Sequence, residues 1–336
     1  MASLPPITAT LIDAIEEPTL IIDRQRVVAV NRAARSLVGV DAIGRDVRLA
    51  IRHPEALDLI LGPSPEGSRE IVGIGGVERP WALTVNDLGE GRRLIRLIDR
   101  GEARAAERQR VDFVANASHE LRTPLATIVG YGETLADEDP LDDELRRRFG
   151  HTILGEARRM LRLIEELMGL SRIEAGRFQH PTDPVDLAAV IETAVSDTGE
   201  LARQRGARVL VEAEPLVVAG DRSQLVQLVN NLVSNALRYA CPKPGGEVRL
   251  HLAHAGGMAR LDVADDGEGI AADHLPRLTE RFYRVDAARS RDSGGTGLGL
   301  AIVKHIVERH RGTLDIASRP GRGTIVTVRL PLLAGA

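Results

Sequence analysis

Apolar positions recur along this chain with three different rhythms, and each rhythm predicts a different kind of folding unit. Through the first hundred residues the apolar stretches are short and set apart by turn residues: Thr19-Leu20-Ile21-Ile22-Asp23, then Val27-Val28-Ala29-Val30, later a stretch from Gly76-Val77 through Trp81 to Val85, and another from Leu94 to Ile98. Such runs, bounded by turn signals, predict strands, and the segment 31–37 predicts a short helix between them. Strand, strand, helix and further strands imply a small α+β domain.

From Gly101 to Ala175 the apolar spacing changes to three or four residues. Val111, Val114, Ala117, Leu121, Leu125 and Ile128 form one stripe, and Leu161, Ile164, Met168 and Ile173 form another beyond the polar stretch 137–140, which ends in Pro140. Two long helices joined by a turn follow from this period. A helical hairpin with apolar stripes and no third helix to cover them needs a second copy, so 101–180 predicts a homodimer held by a four-helix bundle.

Pro181 and Pro184 open the last part, 181–336. There the pattern predicts a helix over 185–201, a strand over 209–211, a helix over 224–239, strands over 248–252 and 259–263, loops, a helix over 298–311 and closing strands. That order describes an α/β sandwich, one helical layer over a mixed sheet. The whole reads as a multidomain α+β protein divided at 1–100, 101–180 and 181–336, with no fixed-period repeat.

Composition narrows the classes. A chain of 336 residues is too long for one small core. With only 2% aromatic residues, its cores must be filled by Leu, Val, Ile and Ala. A formal net charge of −4 gives no electrostatic footprint for nucleic acid, which is therefore not expected as a partner. The single cysteine, Cys241, excludes an intramolecular disulfide and fits a reducing cytosol, where it reads as a packing residue in preference to a redox sensor. No apolar run of about 18 residues and no basic-then-apolar N-terminus occur, so the expected location is cytoplasmic with no membrane segment in this chain. A membrane receptor truncated upstream would present the same sequence.

Candidate chemistry concentrates in the last part. Asp265-Asp266-Gly267-Glu268-Gly269-Ile270 places an acid and two glycines at a strand end, where the acid can accept a hydrogen bond from an exocyclic amine such as adenine N6. By itself the motif also fits a glycine-rich turn with a solvated aspartate. Gly294-Gly295-Thr296-Gly297-Leu298-Gly299-Leu300 runs into a helix, and exposed N–H groups with the positive helix end suit phosphate. A dinucleotide fold is the usual rival, but no strand directly precedes these glycines.

Asn231 and Asn235 lie four apart on one helix face. Asn235 has a carbonyl oxygen suited to Mg²⁺, which takes oxygen ligands while bridging nucleotide phosphates. The alternative is a pair of surface asparagines. Arg238 and Tyr239 follow with a cation for phosphate and a ring for the nucleotide. Arg281-Phe282-Tyr283-Arg284 and the polar stretch 285–293, with Arg289 and Arg291, suit a loop that closes over a triphosphate, or equally a plain surface loop.

The helical hairpin carries the other half of the chemistry. Phe113-Val114-Ala115-Asn116-Ala117-Ser118-His119-Glu120-Leu121-Arg122-Thr123-Pro124-Leu125 sets a histidine beside an acid in mid-helix. Relative to Val114, Ala117 and Leu121, His119 points away from the bundle core. A neutral imidazole is nucleophilic near neutral pH, and Glu120 can orient it and take its second proton. Pro124 frees the carbonyl of Glu120, which predicts a bend one turn past His119. The eight other histidines read as structural, and their spacings give no zinc site.

Taken together, these residues resemble the two-component sensor histidine kinases across about 105–334: a dimerisation and histidine-phosphotransfer (HisKA) domain followed by a GHKL-type (HATPase_c) ATP-binding domain. His119 to Leu125 is similar to the family's H box, Asn231 to Asn235 to its N box, Asp265 to Ile270 to its G1 box, Arg281 to Tyr283 to its F box, and Gly295 to Leu300 to its G2 box. The resemblance implies ATP and Mg²⁺ as cofactors. It makes His119 the phospho-acceptor, Glu120 its acid/base neighbour, Thr123 the residue that positions water when a response regulator is dephosphorylated, and Asn235 the metal ligand. The implied nucleotide-binding set is Asn231, Asn235, Arg238, Tyr239, Asp265, Gly267, Gly269, Ile270, Phe282, Thr296, Gly297, Leu298, Gly299 and Leu300.

The implied partner is the receiver domain of a response regulator, whose aspartate accepts the phosphoryl group. Arg238 and Cys241 stand where lysine and a small polar residue are commoner in the family. The run 18–39, with Asn31-Arg32-Ala33-Ala34, resembles a PAS sensor domain, and the layout is similar to that of phosphate-starvation sensors. This region has no cysteine for a flavin adduct, and His53 reads as a loop histidine in preference to a haem ligand. Two rivals keep the nucleotide fold: an ATP-driven conformational clamp and a non-catalytic scaffold. Neither needs an exposed histidine followed by Pro124.

Overall fold

In the computed structural model, which describes residues 6–63, 66–74, 79–137, 142–176, 179–239, 245–285 and 295–333, the chain separates into two units, Met1–Asp112 and Phe113–Ala336. Gly76, Val77, the turn residues 138–140, Cys241, Arg289, Arg291 and Gly294 lie outside the described residues.

The first unit is built on a five-stranded antiparallel sheet. Its strands are β1 (Thr19–Asp23), β2 (Arg26–Val30), β3 (Gly67–Val72), β4 (Pro80–Gly89) and β5 (Arg92–Asp99), in the order β2-β1-β5-β4-β3. Helices α2 (Arg32–Val38), α3 (Val47–Ala50) and α4 (Pro54–Leu61) accompany it, and Ala34, Val47, Ala56 and Ile60 from these helices share a core with Leu20, Ile22, Leu83, Ile95 and Leu97. A smaller cluster of Ile12, Ile21 and Ala29 brings in α1 (Pro6–Asp13). The predicted strands and the helix after Asn31 are present, whereas α1, α4 and β3 carried no clear period in the sequence. Eight-residue helices hold too few apolar positions to establish a rhythm. His53 is the N-cap of α4, its Nδ1 accepting from the Ala56 N–H at 3.3 Å, with Pro54 opening the first turn.

Asn31 explains how this unit closes. Fully buried, it accepts at Oδ1 from the N–H groups of Thr19 and Ala34 (2.9 and 2.8 Å) and donates through Nδ2 to the carbonyls of Ile15 and Glu17 (both 2.9 Å). One side chain therefore caps α2 and also ties down the segment leading into β1.

The second unit begins within α5 (Gly101–Ala136), which is paired in the hairpin with α6 (Asp143–Ala175). Asp142 caps α6 through the Leu145 N–H at 2.8 Å. Helix α5 runs unbroken through Pro124, which is buried. The apolar stripe read from the sequence divides in two here. Phe113, Ala117, Leu121, Pro124 and Ile128 are partly or fully covered, whereas Val114, Leu125 and Val129 on α5 and Leu161, Ile164 and Met168 on α6 stay exposed. On α6 a further face, Leu163, Leu170 and Ile173, is buried in the core of the C-terminal part, 181–336.

That part carries a mixed sheet of β7 (Arg208–Ala213), β9 (Glu247–Ala255), β10 (Met258–Asp265), β11 (Thr313–Ser318) and β12 (Thr324–Pro331), ordered β11-β12-β10-β9-β7, with β7 parallel to β9 and the other pairs antiparallel. Helices α7 (Leu187–Arg205), α8 (Arg222–Tyr239) and α9 (Gly299–Arg309) share its core, as the sandwich reading requires. One boundary is corrected: Val185 is not helical but sits in β6 (Pro184–Asp186), paired with Val218 of β8 (Val217–Ala219). Pro184 favours extended backbone, and Asp186 accepts from the Ala188 N–H at 2.9 Å, so the helix starts only at Leu187. Among the described residues no helix is long and apolar enough to cross a membrane.

Replacing Asn31 by Ala strands the buried N–H groups of Thr19 and Ala34 at once and takes a donor from the part-buried carbonyls of Ile15 and Glu17. We expect Asn31→Ala to destabilise the first unit by about 3 kcal/mol, read as a lower denaturation midpoint for that unit in chemical unfolding of the whole chain.

Candidate functional site

The strand β10 ends in Asp265, and the chain holds this carboxylate in one orientation. Its Oδ1 accepts from the Gly267 N–H at 3.0 Å and from the Thr324 N–H at 3.1 Å. Oδ2 has no protein partner among the described residues. Burial pushes the Asp265 carboxyl above the usual aspartate range, and the neighbouring Asp266 adds to this, against the two N–H donors. The turn that follows needs its glycines: Gly269 has φ +69°, and a Cβ there would lie 2.0 Å from the Arg319 carbonyl oxygen. Ile270 donates its N–H to Ser318 Oγ at 2.8 Å.

Helix α8 buries Leu225, Leu228, Val229, Leu232 and Val233, which leaves Asn231 and Asn235 half-buried on another face. The Nδ2 of Asn231 is buried without a hydrogen-bond partner, and such a group calls for a ligand atom or water. A Cβ on Gly299 would lie 3.6 Å from Asn235 Nδ2, 3.7 Å from its Oδ1 and 3.8 Å from Asn231 Cγ. The missing side chain thus brings the start of α9 against the asparagine pair. Arg238, one turn further, is half-buried, and Tyr239 is exposed.

The loop before α9 is also shaped by glycine. Gly297 has φ +76°, and a Cβ there would meet Phe282 backbone atoms at 2.8 Å. Phe282, itself at φ 63°, donates its N–H to the Gly297 carbonyl at 2.9 Å, so the two sequence motifs form one structure. Leu298 is fully buried, Leu300 is half-buried, and Thr296 Oγ1 accepts from the Leu298 N–H at 3.3 Å. The free N–H groups at the start of this 11-residue helix suit an anion. A carboxylate at the end of β10, amides on α8 and the start of α9 are groups of the kinds that suit the base and the phosphates of an adenine nucleotide.

On the hairpin, His119 is exposed and its ring has no hydrogen-bond partner among the described residues. Thr123 donates to the His119 carbonyl at 3.3 Å. Glu120 turns toward α6, its Oε2 accepting from Arg159 at 3.2 Å with Arg284 at 4.0 Å. Further ties join the glycine loop and its flank to the same helix pair. Thr296 donates its hydroxyl to Glu166, Arg281 pairs with Glu174, and the Phe282 ring packs 5.8 Å from that of Phe113. Burial raises the pKa of Glu166, opposed by the Thr296 hydrogen bond and by Arg238 and Arg162. Sequence reasoning assigned no role to Arg159, Glu166, Glu174, Ser318 or Thr324. Charged residues on a helix read as solvated, and nothing in their spacing names a partner far along the chain.

A family model for the His Kinase A (phospho-acceptor) domain matches residues 109–176, one for the histidine kinase-, DNA gyrase B-, and HSP90-like ATPase matches 220–334, and one for the PAS domain matches 8–70. The phosphate regulon sensor protein PhoR of Pseudomonas aeruginosa is 37% identical over 313 residues, which cover 88% of this chain and 68% of that protein. The sensor-like histidine kinase SenX3 of Mycolicibacterium smegmatis is 33% identical over 333 residues, 98% of this chain and 84% of that one. In fold, the chain resembles the histidine kinase ThkA solved in complex with the response regulator protein TrrA (TM-score 0.52, 18% identity, 96% of this chain and 98% of that one).

A nucleotide site of this type joined to a histidine-bearing helical hairpin defines an ATP-dependent protein-histidine kinase. The chain belongs to the two-component sensor histidine kinases, on the PhoR-like plan of PAS domain, phospho-acceptor hairpin and ATPase domain. Its activity is autophosphorylation from ATP on a histidine, followed by transfer of the phosphoryl group to an aspartate of a response regulator.

Because the Asp265 pKa lies above the ordinary value, the carboxyl takes up a proton earlier as pH falls, and protonated it is a poorer acceptor for an amine. Affinity for ADP should therefore weaken on acidification at a higher pH than an unperturbed aspartate would give. Calorimetric titration from about pH 8 down to about pH 5 tests this, with Asp265→Asn binding about ten- to a hundred-fold more weakly at neutral pH and keeping only the pH dependence that the ADP phosphates themselves supply.

Proposed function

We propose that His119 is the phospho-acceptor, with Glu120 as its general base, and that ATP is held by Asp265 at the base and by Asn231, Asn235, Arg238 and the loop Thr296–Leu300 at the phosphates. The observation that carries this reading is the exposed His119 ring, without a partner among the described residues and one residue from a carboxylate, in the same unit as Asp265, the asparagine pair and the glycine loop. Tyr239, Gly267, Gly269, Ile270 and Phe282 complete the nucleotide site. We assign the sensor role to 1–100, dimerisation and phosphotransfer to 101–180, and ATP binding to 181–336.

Phosphoryl transfer has a loose transition state, so positioning and charge stabilisation supply most of the catalysis. A ring nitrogen of His119 attacks the γ-phosphorus in line, the bond to the β–γ bridging oxygen breaks, and ADP leaves. Glu120 accepts the proton from the other ring nitrogen as the ring acquires its substituent. The N–H groups at the start of α9 and the Arg238 guanidinium face the charge on the phosphates. Asn235 offers its carbonyl oxygen to Mg²⁺, and the ion when bound neutralises charge on the phosphate oxygens.

For the transfer to occur, the ATPase part must leave its present seat on α6, where Glu166 and Glu174 hold it, and approach His119. In the reverse function, Thr123 positions the water that hydrolyses the phosphorylated regulator. ATP and receiver domains are cytoplasmic, which places the catalytic half in that compartment.

The exposed stripes supply the dimer contact. Val114 is 57% and Leu161 60% exposed in the single chain, and a second hairpin covers both in a four-helix bundle. The double change Val114→Glu and Leu161→Glu should give a monomer in sedimentation at micromolar concentration.

The reaction itself is tested with γ-labelled ATP and Mg²⁺. Acid-labile, alkali-stable label should appear on the wild type, vanish in His119→Ala and drop at least about a hundred-fold in Asn235→Ala. Undiminished label on His119→Ala would defeat the assignment.

A further inference from the structure

A base beside a nucleophile works best when a third group fixes its own orientation, as in an acid–base triad. A glutamate on a helix surface has three side-chain torsions, so an unrestrained carboxylate spends little time aimed at its neighbour. Glu120 has such a third group. Arg159 reaches it from α6, with Nη2 at 3.2 Å from Glu120 Oε2 and the side chain only 14% exposed. The same guanidinium lies 3.8 Å from Glu156, which flanks it one turn earlier on α6. One oxygen of Glu120 is thereby occupied, and Oε1 has no partner among the described residues.

Arg284 also approaches Glu120 Oε2, at 4.0 Å. The two arginines differ in what carries them. Arg284 belongs to the ATPase part and departs when that part moves, whereas Arg159 stands on α6, the other helix of the hairpin that carries Glu120. A guanidinium suits this task because its planar, always-charged fork holds a carboxylate in a defined direction.

We propose that Arg159 is a positioning residue for the autophosphorylation step: by holding Oε2 of Glu120 it presents Oε1 to the imidazole of His119. The inference rests on the reading of Glu120 as the general base. The rival account is a plain helix-to-helix tie, in which Arg159 secures α5 to α6 and Glu120 is only its anchor.

Initial rates of autophosphorylation of the full chain separate these accounts. Arg159→Met keeps the aliphatic stem and removes the charge. It should lower kcat about ten- to a hundred-fold with the KM for ATP unchanged, and Arg159→Lys should recover most of the loss. A double-mutant cycle gives the deciding readout, since a residue that acts only through Glu120 has nothing left to do in Glu120→Gln. The rate of Glu120→Gln/Arg159→Met should therefore equal that of Glu120→Gln alone. The proposal is overturned if Arg159→Met retains the wild-type kcat, or if it lowers the Glu120→Gln rate by the same factor as it lowers the wild-type rate. A wild-type rate for Glu120→Gln instead sinks the reading of Glu120 itself, whatever Arg159 does. Should Arg159→Met melt below the assay temperature, Arg159→Gln takes its place with the same expectations.

Discussion

Helix α6 is asked to satisfy two neighbours at once, and most of the second unit follows from that constraint. One of its faces, Leu163, Leu170 and Ile173, is buried in the ATPase core, while Leu161, Ile164 and Met168 stay bare. Polar positions at the edge of the covered face then meet the ATPase part, Glu166 at the Thr296 hydroxyl and Glu174 at Arg281. A carboxyl taken this far out of water is costly unless it finds donors, and the raised pKa of Glu166 records that cost. The interface is therefore part apolar packing and part charge pairing. Such a mixture can hold a domain in place and still release it.

The nucleotide site depends on a different economy, in which absent side chains matter as much as present ones. A Cβ on Gly323 would lie 1.9 Å from the Asp265 carbonyl oxygen, and one on Gly297 would strike the backbone of Phe282. These close approaches let the β11–β12 connection hold Asp265 from one side and let the Phe282 strip lock onto the phosphate loop. Leu298 belongs to the core beneath the loop, so the start of α9 is fastened from inside while its N–H groups face outward. His310 serves the same architecture. Buried, it accepts the Asp221 N–H at Nε2 (3.0 Å) and bonds the Ile306 carbonyl through Nδ1 (2.8 Å), and burial depresses its pKa, so the ring joins the start of α8 to the end of α9 as a neutral group.

Much of the fold was legible because its elements are long or strongly marked. Helices α5, α6 and α8 carry enough turns to show a period, and the strands of the ATPase sheet alternate clearly between inner and outer residues. Short elements were not: α1, α4 and β3 emerged only in the structure, and Val185 was read as helix because a single valine after Pro184 carries no rhythm. The stripe on α5 was read as one surface and is two, one packed within the protomer and one exposed. Period identifies an apolar face but does not say which neighbour covers it.

The linear order of residues by itself carries the local marks from which the site is proposed: histidine beside acid before a proline, paired asparagines on a helix, an acid among glycines, and a glycine run opening a helix. Each of these is local, set by backbone freedom and by groups within one or two turns. Tertiary structure alone decided that Glu120 meets Arg159 39 positions further on, and that Glu166 meets Thr296 across 130. It also decided that Asp265 takes an N–H from Thr324. Partners so distant are chosen by how whole layers pack, because burial of apolar faces sets where the helices lie and the charged side chains then pair with whatever that packing brings within reach.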